Sequence, residues 1–205
     1  MSPVTPPPTP PPTPIKQSPS ITVPEILVIG SLAVDQTLKT TTKIPQLHAS
    51  NPTTTTETLG GVSKNVALAA HLVGANARLV SVVGKDLAGA WALEKLGALG
   101  MDVSGVKAVD DGVTARYVAI NNSSGELFVA GADMRIFESA QMSALAKGEI
   151  AKGVKVVCVD GNLSIEGLAE IVKTTAELDI PCLPPPSFSH ASQREIFTYD
   201  GGDGE

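Results

Sequence analysis

The apolar positions of this 205-residue chain change their period several times between residues 25 and 180, and the changes mark its elements. Glu25-Ile26-Leu27-Val28-Ile29-Gly30 is a continuous apolar run closed by glycine, the pattern of a strand buried on both faces of a parallel sheet. Residues 34–58 are threonine-rich and roughly alternating, with Pro45 and Pro52 interrupting them, which predicts short strands of a small exposed sheet. Over 62–73 the period becomes helical: Val62, Val66, Ala69, Ala70 and Val73 fall on one face, and Gly74 fits the C-cap. A strand over 78–83 and a helix over 87–99 follow, the helix with Leu93 and Leu96 on one side. Strands at 113–121 and 126–130 flank Asn121-Asn122-Ser123-Ser124-Gly125, a hairpin turn. A helix near 139–152, a buried strand at 154–159 and a helix at 164–178 complete the series. This order predicts an α/β fold, a doubly wound parallel sheet carrying a small β lid at about 34–58 and 105–131.

The two ends depart from this pattern. Residues 1–24 form a proline-rich tail, with eight prolines among the first 14 positions, and such a segment is extended and cannot build a core. It lacks the charged start and apolar stretch of a secretory signal, and reads as a disordered linker or as a proline-motif ligand. Ile180-Pro181-Cys182-Leu183 could start a strand before Pro184-Pro185-Pro186 stops any regular element. Residues 183–205 show neither a period of 2 nor one of 3.6 and read as an irregular tail, which leaves 25–182 as the domain.

Composition narrows the function classes. There are 15 basic against 21 acidic residues, a net charge of -6, which argues against nucleic acid as a partner. No apolar run of about 18 residues occurs, so no membrane span is expected. Two cysteines, Cys158 and Cys182, suggest a reducing, cytoplasmic setting without a disulfide framework. With one Trp, two Tyr and four Phe, the core must be built mainly of Val, Leu, Ile and Ala.

Candidate chemistry gathers after the first strand. Asp35 lies just beyond the carboxyl end of that strand, where open α/β sheets bind ligands. A carboxylate there can accept two hydroxyl hydrogen bonds, as a sugar supplies, or can serve as a turn or cap. Gly60-Gly61 opens the first helix and has three readings: a tight turn, a phosphate cradle at a helix N-terminus, or a sugar-hydroxyl site where missing side chains admit a ligand to the backbone. Asn65, one turn into the helix, could face the same ligand or satisfy nearby backbone. Gly30-Ser31-Leu32 gives no G-x-G-x-x-G and no Walker pattern occurs, so the first strand opens no dinucleotide loop. Lys64 and Arg116 read as surface or lid charges, and His71 as structural or solvated.

Gly60-Gly61-Val62-Ser63-Lys64-Asn65-Val66-Ala67, followed after six residues by Gly74 and after nine more by Gly84, resembles the N-terminal motif of the PfkB sugar-kinase family, of ribokinase-like fold. Ser63 stands where that family usually has Gly, Ala or Pro. Val83-Gly84-Lys85-Asp86 with Gly89, and Leu96-Gly97-Ala98-Leu99-Gly100-Met101-Asp102, agree with the family over about residues 25–180. Asn51-Pro52, Gly125-Glu126-Leu127 leading to Ala132-Asp133-Met134, and Asp160-Gly161-Asn162-Leu163-Ser164 resemble the pseudouridine kinases within it. The resemblance implies a three-layer, Rossmann-like α/β domain that phosphorylates a ribose-containing sugar or nucleoside with ATP and Mg²⁺. Asp35, Gly60, Gly61 and Asn65 would hold the ribose hydroxyls under the closing lid, with Asp133 and Asn162 nearby. Asn162 is equally a helix-entry turn that sets Ser164 as N-cap.

The family's base and anion hole come from a second motif, Asp-Thr-x-Gly-Ala-Gly-Asp, which does not occur in these 205 residues. Gly201-Gly202-Asp203 is a chance echo with no helix after it. No catalytic residue is therefore assigned, the C-terminal half of the fold is expected to be missing, and little turnover is expected of the chain alone. The alternative is a non-catalytic sugar- or nucleoside-binding fragment or subunit. An open sheet edge or the lid would favour a homo-oligomer. In some fungi similar kinase domains follow a pseudouridine-phosphate glycosidase domain, so the resemblance also implies a fusion relationship.

Overall fold

A computed structural model describes residues 25–183. The tails assigned to 1–24 and 184–205 lie outside the described residues. Chain order is β1 (Ile26–Ile29), β2 (Ala33–Thr40), β3 (Thr53–Gly60), α1 (Val62–Leu72), β4 (Ala77–Gly84), α2 (Leu87–Ala98), β5 (Val106–Val109), β6 (Arg116–Asn121), β7 (Leu127–Asp133), a 3₁₀ turn (Arg135–Glu138), α3 (Ala140–Ile150), β8 (Val156–Val159), α4 (Ile165–Glu177) and β9 (Cys182–Leu183).

Five strands make an all-parallel sheet in the order β5-β4-β1-β8-β9. Alternate side chains of its central strands enter two cores. Leu27, Ile29, Val80, Val82, Val157 and Val159 pack with Phe137, Met142, Ala146, Ile150, Leu168 and Ile171 from the 3₁₀ turn, α3 and α4. Val28, Leu79 and Val83 pack on the other face with Ala67 of α1 and Ala92 and Leu96 of α2. A sheet covered on both faces needs apolar side chains at every position, which is why Ile26 to Ile29 form an unbroken run.

A second, four-stranded sheet has the order β3-β2-β6-β7. β2 pairs antiparallel with β3, placing Ala33 opposite Gly60, and parallel with β6, placing Asp35 opposite Tyr117. β6 and β7 form the hairpin expected around Asn121–Gly125, with Asn122 accepting from the Ser124 and Glu126 amides at 2.9 Å each. One boundary needs correction. Residues 106–109 pair with β4 and extend the five-stranded sheet as β5, so of the span 105–131 expected in the small sheet only the hairpin of β6 and β7, 116–133, belongs to it. Lys107 and Ala108 are exposed, and this short edge strand had no alternation strong enough to reveal it.

Helix α1 turns the opposite way from its apolar stripe. Ser63, Lys64 and Ala67 are buried, whereas Val62, Val66 and Val73 are 38, 40 and 84% exposed. Its first turn is fixed by polar bonds: Ser63 Oγ donates to the Ile29 carbonyl at 2.9 Å, and the Lys64 amide donates to the Ser31 carbonyl at 3.1 Å. These bonds, together with the small Ala67, set which face meets the sheet and override the hydrophobic period.

Candidate functional site

The strand order reverses beside β1. From β1 the chain runs outward through β4 to β5, then returns to add β8 and β9 on the other side. The crevice at such a reversal, beyond the strand carboxyl ends, is where open α/β sheets hold ligands. Here it is formed by Gly30-Ser31 after β1 and Asp160 after β8.

Asp160 is 1% exposed and gathers four donors: the Ser31 amide at 2.7 Å, Ser31 Oγ at 2.5 Å, the Ser63 amide at 3.1 Å and the Asn162 amide at 3.0 Å. Ser31 Oγ in turn accepts from the Val62 amide at 3.0 Å and from Asn162 Nδ2 at 3.3 Å. The bare helix N-terminus suggested by the glycine pair is thus already occupied by an internal carboxylate. Its amides offer a phosphate nothing, and the negative charge of Asp160 opposes a second anion there. Gly30 exists for this contact: its φ is +145°, and a Cβ would lie 2.5 Å from the Asp160 carboxyl carbon.

In front of this hub stands a second group. The Asp35 carboxylate lies across Gly60, where any Cβ would overlap it. Gly61 has φ +100° and presses against the Ser31 carbonyl, so it too admits no side chain. Burial pushes the Asp35 carboxyl above its ordinary 3.8, while the charge of Lys64 works against that shift. Lys64 is not the surface charge its sequence suggests. It is 5% exposed, burial pulls its ammonium below the ordinary 10.5, and Asp35 opposes that change. Lys64 Nζ donates to Asn65 Oδ1 at 2.6 Å. Asn65 itself is exposed on the first turns of α1.

The structure therefore brings Asp35, Gly60, Gly61 and Asn65 into one neighbourhood and joins Asn162 to it through Ser31. Asn162 also serves the helix-entry turn, since Ser164 caps α4 by accepting from the Gly167 amide at 3.0 Å. Asp133 stands apart. It lies at the end of β7, two strands from β2, and Arg135 grips it with bonds of 2.9 and 2.7 Å. Those bonds hold its carboxyl at about 2. Ser31, Asp160 and Lys64 were not read from sequence as site residues. Asp160 was visible as the residue after a strand and as the start of the Asp160–Ser164 segment, but its role as a hydrogen-bond hub follows from the strand order. Among the described residues no group of three or more His, Cys, Asp or Glu could hold a metal ion, and no helix is long and apolar enough to cross a membrane. Both cysteines are free thiols.

A model of the pfkB family of carbohydrate kinases matches residues 23–197. The chain belongs to that family. Among curated relatives, the pseudouridine kinase of Escherichia coli is 34% identical over 132 residues, covering 64% of this chain and 42% of that protein. The pseudouridine-metabolizing bifunctional protein of Schizosaccharomyces pombe is 29% identical over 165 residues, covering 80% of this chain and 22% of that protein. Among solved structures, Arabidopsis thaliana ribokinase complexed with ribose and ATP superposes with a TM-score of 0.66 at 17% identity, over 80% of this chain and 53% of that one. The last likeness shows the fold, which is ribokinase-like as expected. The pfkB chain described here spans less than half the length of these two curated relatives and about half that of the ribokinase.

Proposed function

We propose that this pfkB chain supplies the sugar-holding part of an ATP-dependent kinase for pseudouridine or a related ribosyl nucleoside. The observation that carries the reading is the Asp35 carboxylate lying over Gly60 beside the exposed Asn65. An ionised carboxylate is acceptor-only and an amide offers two donors, a pair that complements neighbouring sugar hydroxyls. Gly60 lets the Asp35 carboxylate lie there and Gly61 lets the chain pack on the Ser31 carbonyl, while Asn162, in the turn after β8, joins through Ser31. Asp133 would join from the far strand of the four-stranded sheet as that sheet closes. Doing so would break an exposed ion pair with Arg135, which costs little. Names of relatives that carry pseudouridine support the substrate class, and the bifunctional pseudouridine-metabolizing relative supports the expected fusion relationship.

ATP with Mg²⁺ is the phosphoryl donor that the family implies, and it would supply the transferred group and the charge neutralisation. The described residues do not fit it: Asp160 takes the Ser63 amide and Ser31 takes the Val62 and Lys64 amides at the start of α1, and among the described residues no metal-binding cluster accompanies them. No step is assigned to these residues beyond holding and orienting the acceptor sugar. A second reading, binding without transfer, is favoured by the same filled helix terminus. Self-association through the lid or an open strand edge fits the exposure of Leu127, Phe128 and Val129 on β7.

Calorimetry with pseudouridine and with ribose tests the site. Binding that is lost in Asp35→Asn is expected, and no heat at millimolar ligand from a folded protein would overturn the reading. A coupled assay for ADP release then separates the two readings, because binding without ADP formation favours the second.

A further inference from the structure

Lys64 is buried at a position where the sequence pattern suggested solvent, and its environment is specific. Its ammonium has three N–H donors and no acceptor. The Asn65 atom it touches at 2.6 Å is therefore the amide's carbonyl oxygen. This leaves the Asn65 NH₂ group turned away from Lys64. The Lys64 backbone is itself pinned to the Ser31 carbonyl, so the side chain starts from a fixed point at the strand-order reversal.

We propose that Lys64 is a positioning residue of the sugar site, holding the Asn65 amide by its oxygen so that its N–H groups meet the ligand beside an ionised Asp35. The proposal rests on the sugar-site reading of Asp35 and Asn65. It explains why a buried lysine sits next to residues that a hydroxyl-binding site needs. Without the cation, Asn65 could flip and present a second acceptor next to a carboxylate, which matches a diol less well. The groups facing Asp35 are Lys64 from α1, Gly60 beneath it and Thr58 opposite it on β3, and Tyr117 opposite it on β6. Lys64 is the one cation among them. Asp160, at the first turn of the same helix, is engaged by the Ser63 amide.

The test separates this role from the sugar reading by using the ligand-free protein first. The Asp35 carboxyl is titrated by carbon-13 NMR in the wild type, in Lys64→Met and in Lys64→Arg. Lys64→Met is expected to raise the Asp35 midpoint by about one pH unit, and Lys64→Arg to restore most of it. The reverse experiment titrates Lys64 in Asp35→Asn, where linkage demands a comparable downward shift. It remains decisive if Lys64→Met fails to fold. Unmoved midpoints in both experiments would overturn the proposal. Calorimetry with pseudouridine follows: Lys64→Met should weaken binding at least tenfold with Lys64→Arg partly rescuing it, and unchanged affinity would also overturn the positioning role. Shifted midpoints with no binding in the wild type would instead defeat the sugar reading while leaving the Lys64–Asp35 coupling in place.

Discussion

The two sheets of this molecule are held together on different terms. The five-stranded sheet is covered on both faces, and Leu27, Ile29, Val80 and Val82 are fully buried within it. The four-stranded sheet stands largely in solvent: Leu127 to Ala132 of β7 are exposed throughout, and so are Thr54 to Thr58 of β3. The first sheet owes its stability to apolar burial. The second owes its order chiefly to backbone pairing and to its root at Ala33 and Gly60. The candidate site lies on the seam, with the Asp160 hub on the rigid side and Asp35 on the looser one. On burial alone the Asp160 side should open less readily than the four-stranded sheet, because local opening energies follow buried contact density.

Substitutions at the seam and away from it should separate sharply. Gly30→Val forces a branched side chain into a positive φ and against a buried carboxylate, so a loss of about 3 kcal/mol or more in urea unfolding is expected. Asp160→Ala comes next. It orphans the buried Ser31 and Ser63 amides, at a cost of about 2–4 kcal/mol by the same measurement. Asp35→Asn should act in the other direction. The folded state raises the Asp35 midpoint, so it favours the protonated form, and ionising the group lowers stability as pH rises past 3.8. The variant should therefore match the wild type well below that pH and be slightly more stable at neutral pH, while losing sugar binding. Phe128→Ser on β7 should cost no more than about 1 kcal/mol, since the residue is 43% exposed. Amide hydrogen exchange supplies the overall check: β3 and β7 should exchange before β1 and β4. A Phe128→Ser cost equal to that of Asp160→Ala, or equal protection of both sheets, would break the contrast.

Elements with local signals were legible in the chain. The unbroken run Ile26–Ile29, the Asn-Ser-Gly hairpin and the glycine pair before a helix each need only neighbouring residues to be read. Asp35 and Asn65 were legible for the same reason, being short steps from a strand end and a helix start. Lys64 was misread because periodicity assigned the apolar face of α1 to the interior, whereas hydrogen bonds from Ser63 and Lys64 set the helix rotation. Asp160 and Ser31 meet across 129 positions, a contact that appears only once β8 is known to lie beside β1.

What the sequence by itself determined is the class of fold and the family. It also determined that two side-chain-free residues and an amide stand at one helix entry, and that a carboxylate follows the first strand. These depend on local period and spacing. Only the tertiary structure decided that the helix terminus is filled from within by Asp160, that Lys64 is buried against Asn65, and that Asp133 is held two strands away by Arg135. Each of those is a matter of which distant segments share a crevice. Strand order and helix rotation set that arrangement, and neither is written in the spacing of residues along the chain.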